Sequence, residues 1–68
     1  MTAEDVFKQN CGPDIKYNGT MTFDHERRRE FTFWIGDRLH AIGVNDIQSK
    51  TDAEVGLEGA HLAKLKVK

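Results

Sequence analysis

Two segments in the second half of the chain constrain the fold more than any other feature. Residues 36–42 read Gly-Asp-Arg-Leu-His-Ala-Ile, in which a tight Gly-Asp turn opens a stretch suited to a β-strand. Residues 51–55 read Thr-Asp-Ala-Glu-Val, and Thr51 stands at the position of a helix N-cap. The order strand, loop, helix is therefore expected from Gly36 onward.

These two segments resemble the second half of a PDZ domain, a small module that binds peptides, usually at their C-terminal ends. In that family a strand beginning with Gly-Asp leads to a short strand and then to a helix introduced by Thr or Ser. The resemblance covers roughly the C-terminal half without a gap, although the chain has Gly43-Val44-Asn45 where the family usually has Asn-Gly-Val. The matching positions are Gly36, Asp37, Arg38, Leu39, Ala41, Ile42, Asp46, Ile47, Thr51, Glu54 and Val55.

Length, charge and hydropathy limit the number of domains and the classes of binding partner. The chain has 68 residues and a single cysteine, which predicts one small domain without an internal disulfide. Ten basic and eleven acidic residues give a net charge of -1, which argues against nucleic acid as a partner. No apolar run is long enough for a membrane span, and the start of the chain lacks the pattern of a signal peptide. A cytoplasmic location is therefore expected.

The first half of the chain predicts an arm followed by strands. Residues 1–13 are expected to form an N-terminal arm, with a helical turn or two between Ala3 and Gln9, and residues 14–68 a single domain. Residues 14–24 alternate in polarity around Asn18-Gly19, a turn or bulge signal. Two short strands or one bulged strand are expected there.

The second half predicts two strands, a helix and a last strand. Residues 30–35 are aromatic and β-branched, as in a strand, and residues 38–44 predict a central strand covered on both faces. Thr51 is expected to cap a helix that ends near Ala60. Leu62 to Val67 alternates and predicts a half-buried strand.

The expected fold class is α+β: a small antiparallel sheet wrapped into a partial barrel, with one short helix packed on it, similar to a shortened PDZ domain. The helix-bearing segment that precedes the Gly-Asp strand in that family has no room here, because Glu30–Ile35 runs almost directly into Gly36. The sheet is therefore expected to leave an edge free, with a homodimer possible through the strand at 62–67. Trp34, Phe31 and Leu39 are expected to form the core.

The PDZ resemblance also implies a site and a function. Thr20 to Phe23 correspond to the loop whose backbone N–H groups bind the peptide carboxylate, Lys16 offers a positive charge, and Asp52 faces a peptide side chain. Each has a structural alternative: an ordinary strand, a solvated lysine, and a carboxylate that complements the helix dipole. The implied function is a non-catalytic scaffolding module that binds a protein or peptide, such as a C-terminal tail, by strand addition. The implied peptide-binding residues are Lys16, Thr20, Met21, Thr22, Phe23, Asp52, Val55 and Gly56.

A second interpretation of the central segment remains open. A helix from Asp24 to Ile42, with Trp34 at its centre, resembles the C-terminal end of a pleckstrin-homology domain, which implies binding of a phosphoinositide or a protein partner. The stretch from Thr32 to Gly36 is poor helix material, which weighs against this interpretation.

The sequence offers no pattern typical of an active site. The three histidines have no carboxylate or cysteine at a spacing suited to a metal, and Cys11 has no neighbouring base. The acids around Arg27–Arg29 largely neutralise a patch that would otherwise suit phosphate. We expect a protein that is not an enzyme and that needs neither metal nor cofactor.

Overall fold

The computed structural model describes residues 2–67, which form two helices and three strands in the order αβββα. The elements are α1 (Ala3–Asn10), β1 (Lys16–Phe23), β2 (Arg28–Ile35), β3 (Arg38–Asn45) and α2 (Asp52–Val67).

The three strands form one antiparallel sheet in the order β1-β2-β3. A bulge between Tyr17 and Gly19 interrupts the β1 register, which confirms the bulged strand predicted there. Gly36 adopts φ 62° in the two-residue turn between β2 and β3, a left-handed conformation that glycine adopts without steric cost. The small antiparallel sheet and the α+β class are thus as expected.

Both helices pack on one face of this sheet and bury its aromatic side chains. Phe31 and Phe33 alternate along β2 toward the helices and are fully buried, together with Val44 of β3. Phe7 of α1 stacks on Phe31, with ring centroids 4.7 Å apart. Helix α2 contacts α1 and lies on the β3 side of the sheet, whereas α1 also reaches β1. The opposite face of the sheet carries no layer in the described part of the chain.

Helix α1 belongs to this core rather than to an arm. Thr2 and Asp5 form a capping box, in which each residue accepts a hydrogen bond from the backbone N–H of the other. Ala3, Val6 and Phe7 are buried against the other elements. The segment around Ala3–Gln9 is therefore a helix that completes the hydrophobic core.

Helix α2 is longer than predicted, and the predicted strand from Leu62 to Val67 is wrong. The buried residues of α2, which include Val55, Gly59 and Ala63, keep helical spacing past the helix end that was predicted near Ala60. Lysine, alanine and leucine after Ala60 are good helix formers, so nothing local stops the helix. Residues 62–67 therefore extend α2, and with α1 also in the core the sheet packs against two helices rather than one.

The strands expected at residues 30–35 and 38–44 are present, so the alternative interpretation, a helix from Asp24 to Ile42, is wrong. Two further expectations about the centre of the chain are also wrong. Strand β3 is an edge strand, because β2 occupies the centre of the sheet. Trp34 is 36% exposed and Leu39 is 53% exposed, because strand alternation turns both away from the helices. Phe31 is in the core as predicted. The resemblance to the PDZ family stays a prediction.

None of the described helices is both long and apolar enough to cross a membrane.

The opposite orientations of two neighbouring aromatics on β2 give a stability prediction. Phe33→Ala should lower the free energy of unfolding by about 3–5 kcal/mol, because it leaves a cavity in the core. Trp34→Ala should cost less than about 2 kcal/mol, since the indole is partly exposed on the open side. Urea denaturation of both variants measures the difference. A larger loss for Trp34→Ala would contradict the orientation of β2.

Gly56 gives a second stability prediction. A Cβ atom built there would lie 2.5 Å from the carbonyl oxygen of Ala3 and 2.6 Å from Cβ of Val6. Gly56→Ala should therefore destabilise the protein by about 1–3 kcal/mol through overpacking, although alanine favours a helix by about 1 kcal/mol. His61→Ala, at an exposed position of the same helix, serves as the control and should be neutral or stabilising. Thermal melting that ranks Gly56→Ala as the more stable variant would contradict the close helix contact.

Candidate functional site

The residues predicted to bind a peptide do not form one groove. Lys16 and the run from Thr20 to Phe23 lie on β1, at one edge of the sheet. Asp52, Val55 and Gly56 lie on α2, which is on the β3 side. Arg29 connects the two groups. It lies opposite Thr22 in the β1–β2 register, and its guanidinium is 3.8 Å from the Asp52 carboxylate.

The β1 residues alternate between the two faces of the sheet. Thr20 and Thr22 share a face with the buried side of β2, and the Thr20 hydroxyl hydrogen-bonds to that of Tyr17. Met21 and Phe23 point to the opposite face. Successive N–H groups of an extended strand point to opposite edges, so Thr20–Phe23 cannot direct several amides at one carboxylate. The predicted carboxylate-binding loop is thus replaced by regular strand.

Two of the three predicted α2 residues are buried inside the fold. Gly56 is in close contact with the backbone of Ala3 and the side chain of Val6 in α1, and Val55 belongs to the hydrophobic core. The space beside Gly56 is filled by Ala3 and Val6 of α1, which leaves no room for a peptide there. Asp52 is exposed, and its carboxylate faces Arg29.

Arg29 connects the first turns of both helices to the sheet. Its guanidinium lies 3.8 Å from Glu4 in α1 and 3.8 Å from Asp52 in α2. Both acids are in first turns, where a carboxylate is favourable to the helix dipole. These two ion pairs connect the N-termini of both helices to the start of β2, which is a structural role.

Arg28 is neutralised on the open side of the sheet. It forms ion pairs with Glu26 at 2.9 Å and Glu30 at 3.6 Å, and its guanidinium lies 5.1 Å from the Phe23 ring centroid. Since two of the three adjacent arginines are in ion pairs, they do not present a bare phosphate-binding patch.

No group of three or more histidine, cysteine or acidic side chains is close enough to hold a metal within residues 2–67. A pocket of about 270 Å³ lies beside the thiol of Cys11, between the loop after α1 and the end of α2. Burial raises the pKa of that thiol, which keeps it protonated and a weak nucleophile. The pocket is lined by Cys11, Gly12, Pro13, Asp14, Lys64 and Val67.

The side of the sheet away from the helices, here named the open face, presents several apolar side chains. Met21 is 56% exposed, and Trp34 and Leu39 are cross-strand neighbours beside the Gly36 turn. The Trp34 indole N–H donates to the side-chain oxygen of Asn18. The open-face positions are Lys16, Gly19, Met21, Phe23, Arg28, Glu30, Thr32, Trp34, Leu39, Ala41, Gly43 and Asn45.

The two edges of the sheet differ in regularity. The β1 edge carries the bulge at Tyr17–Gly19, where Asn18 hydrogen-bonds across to Thr32. The β3 edge pairs with β2 over eight consecutive residues, without a shift in register. No strand pairs with the outer side of β3 among residues 2–67. A bulge discourages the pairing of a further strand, so β3 is the more receptive edge.

Helix α2 flanks the β3 edge on the helical side. Lys50, which follows β3, forms an ion pair with Glu58 of α2 at 3.1 Å. Leu62 lies one turn after Glu58 on the same side of α2 and packs partly against the core. The β3 edge thus lies between the exposed Leu39 on the open face and a helix side that carries Leu62.

The sequence analysis missed the β3 edge because it predicted residues 38–44 as a central strand covered on both faces and placed Leu39 in the core. The sequence did contain a signal for the orientation of the Leu39 side chain. Phe31 and Phe33 alternate with Trp34, and the two-residue turn at Gly36-Asp37 sets Leu39 opposite Trp34. Burial of the two phenylalanines therefore requires exposure of Trp34 and Leu39 in a two-layer fold.

Comparison of the chain with protein-family models, with curated proteins and with solved structures gave no match.

The capping box of α1 gives a pH prediction. Hydrogen bonds from the side chain and the backbone of Thr2 lower the pKa of Asp5 from its ordinary value of 3.8. The stabilisation of α1 should therefore be complete above that value and be lost as the pH falls through the lower pKa of the folded state. Amide hydrogen exchange of residues 3–10, with β2 amides as the reference, measures this loss. Asp5→Asn should remove the pH dependence, and a profile that Asp5→Asn leaves unchanged would contradict the assignment.

Proposed function

We propose that the protein is a non-catalytic binding module that takes up an extended peptide or protein segment as a fourth strand along β3. The observation that supports this most directly is the regular, unpaired β3 edge, eight residues long in the described part of the chain. It contains no proline and no bulge, and its one arginine or lysine is Arg38, at the first position of the strand. Backbone hydrogen bonds would supply affinity in this mode of recognition.

Side chains on both sides of the edge supply the specificity. On the open face, alternate side chains of an added strand would lie beside Leu39 and Ala41, which are exposed. On the helical face, the remaining side chains would approach the side of α2 that carries Glu58 and Leu62. A segment with alternating side chains, apolar toward Leu39, fits these surroundings.

This proposal keeps the mode of binding implied by the PDZ resemblance, strand addition beside a helix, and changes its place. The β3 edge replaces the predicted site at Thr20–Phe23, because α2 flanks β3. Since an extended edge strand does not gather its amides at one point, the proposed ligand is an internal extended segment as readily as a C-terminal tail. A second copy of β3 could also pair with this edge, which would give the homodimer expected from a free edge.

The matched variants Leu39→Lys and Met21→Lys test which edge binds. Both residues are apolar and similarly exposed on the open face, but they lie at opposite edges of the sheet. Against a panel of eight-residue peptides with alternating apolar and polar residues, Leu39→Lys should weaken binding by about tenfold, since an edge lysine opposes strand pairing. Met21→Lys should leave it unchanged. Chemical-shift changes of backbone amides along β3 measure the binding.

The same peptides with a free or an amidated C-terminus test the role of the carboxylate. Equal affinities are expected, because the added strand is held by its backbone. Loss of binding on amidation, or shift changes confined to β1, would reject the β3 edge as the site and restore the terminal-carboxylate mode.

A further inference from the structure

The C-terminal ends of the two helices enclose a pocket at one end of the molecule. Helix α1 leads into the loop from Cys11 to Asp14, and this loop lines the pocket together with Lys64 and Val67 of α2. The volume is about 270 Å³, and no residue of β3 lies on the wall. We name this space the Cys11 pocket.

Most of the wall of the Cys11 pocket is apolar. Pro13 and Val67 contribute hydrocarbon, and a protonated thiol such as that of Cys11 behaves as a small apolar group. Gly12 has no side chain, and a Cβ atom built on it would meet no atom within 4 Å beyond its chain neighbours. A cavity of about 150 Å³ is large enough for benzene. The Cys11 pocket therefore has room for an apolar body larger than one ring.

The charge around the pocket is positive. Lys64 lines the pocket, and Lys8 and Lys66 lie in the last turns of α1 and α2. The opposing charge comes from Asp14 on the wall and from the two helix C-termini, each equivalent to about half a negative charge. Three positive charges therefore exceed an opposing charge of about two.

No acid within residues 2–67 forms an ion pair with Lys64. The ion pairs of this part of the chain involve Arg28, Arg29 and Lys50 instead. Since the pocket is open to solvent on one side, an anion beside Lys64 would keep part of its hydration. Its desolvation cost is therefore smaller than in an enclosed cavity.

We propose that the Cys11 pocket binds a small organic carboxylate with a rigid apolar body. The body lies against Pro13, Val67 and the Cys11 thiol, and the carboxylate accepts a hydrogen bond from the Lys64 ammonium. A single negative charge matches the one lysine on the wall, and a rigid body loses little conformational entropy on binding. For a ligand of this size we expect a dissociation constant of about 0.1–1 mM.

This site does not depend on the proposed addition of a strand at β3. The Cys11 pocket is formed by the loop after α1 and by the end of α2, and β3 contributes nothing to its wall. Failure of peptide binding therefore leaves the carboxylate site intact, and the reverse also holds.

Titration with naphthoate, followed through backbone amide chemical shifts, tests the ligand class. The amides of Cys11, Gly12 and Asp14 should shift. Neutral naphthamide has the same rings without the charge, and acetate has the charge without the rings. Each should bind at least about tenfold more weakly than naphthoate, because the apolar wall and the ammonium act on different parts of the ligand.

The matched variants Lys64→Gln and Lys66→Gln test the role of the ammonium. Both remove one charge from the last turn of α2, but only Lys64 lines the pocket. Lys64→Gln should weaken naphthoate binding by about tenfold, since it removes a charged hydrogen-bond donor. Lys66→Gln should change it by less than about twofold at physiological salt, which screens charges outside the pocket. Far-UV circular dichroism confirms that each variant is folded.

Asp14→Asn supplies a test of the opposite sign. It removes the acid from the wall, so naphthoate should bind about threefold more tightly. Weaker binding in Asp14→Asn would overturn the proposal, because it would indicate a site for a zwitterion or a cation. Equal binding of naphthoate and naphthamide, equal losses in Lys64→Gln and Lys66→Gln, or no shift of the loop amides at millimolar naphthoate would also overturn it.

Discussion

The close approach of α1 to α2 at Gly56 is the contact on which the rest of the molecule depends. The Ala3 carbonyl and the Val6 side chain occupy the space that a larger residue at 56 would need. One turn later, Gly59 lets the helix settle on Phe31, which in turn stacks on Phe7. Two helices can share one face of a three-stranded sheet because α2 has glycine at the two positions where it approaches Val6 of α1 and Phe31 of β2.

This packing on one face determines which surfaces of the sheet stay exposed. A chain of 68 residues places its large buried side chains on one side of the sheet, chiefly Phe7, Phe31 and Phe33. No material remains to cover Trp34 and Leu39, or to pair with β3, in the part of the chain that the structure describes. The exposed surfaces therefore follow from the construction of the core.

The sequence predicted the sheet well because its signals are local. Alternation and the Gly36-Asp37 turn locate the strands, and Asn18-Gly19 locates the bulge. The helices were harder because their boundaries depend on tertiary contacts. The segment from Leu62 to Val67 has both strand alternation and helix-forming residues. It is helical because Ala60 and Ala63 of the same helix pack into the hydrophobic core. The burial of two predicted site residues was missed for the same reason, since nothing in the local sequence shows that α1 packs against Gly56 or that Val55 lies in the core.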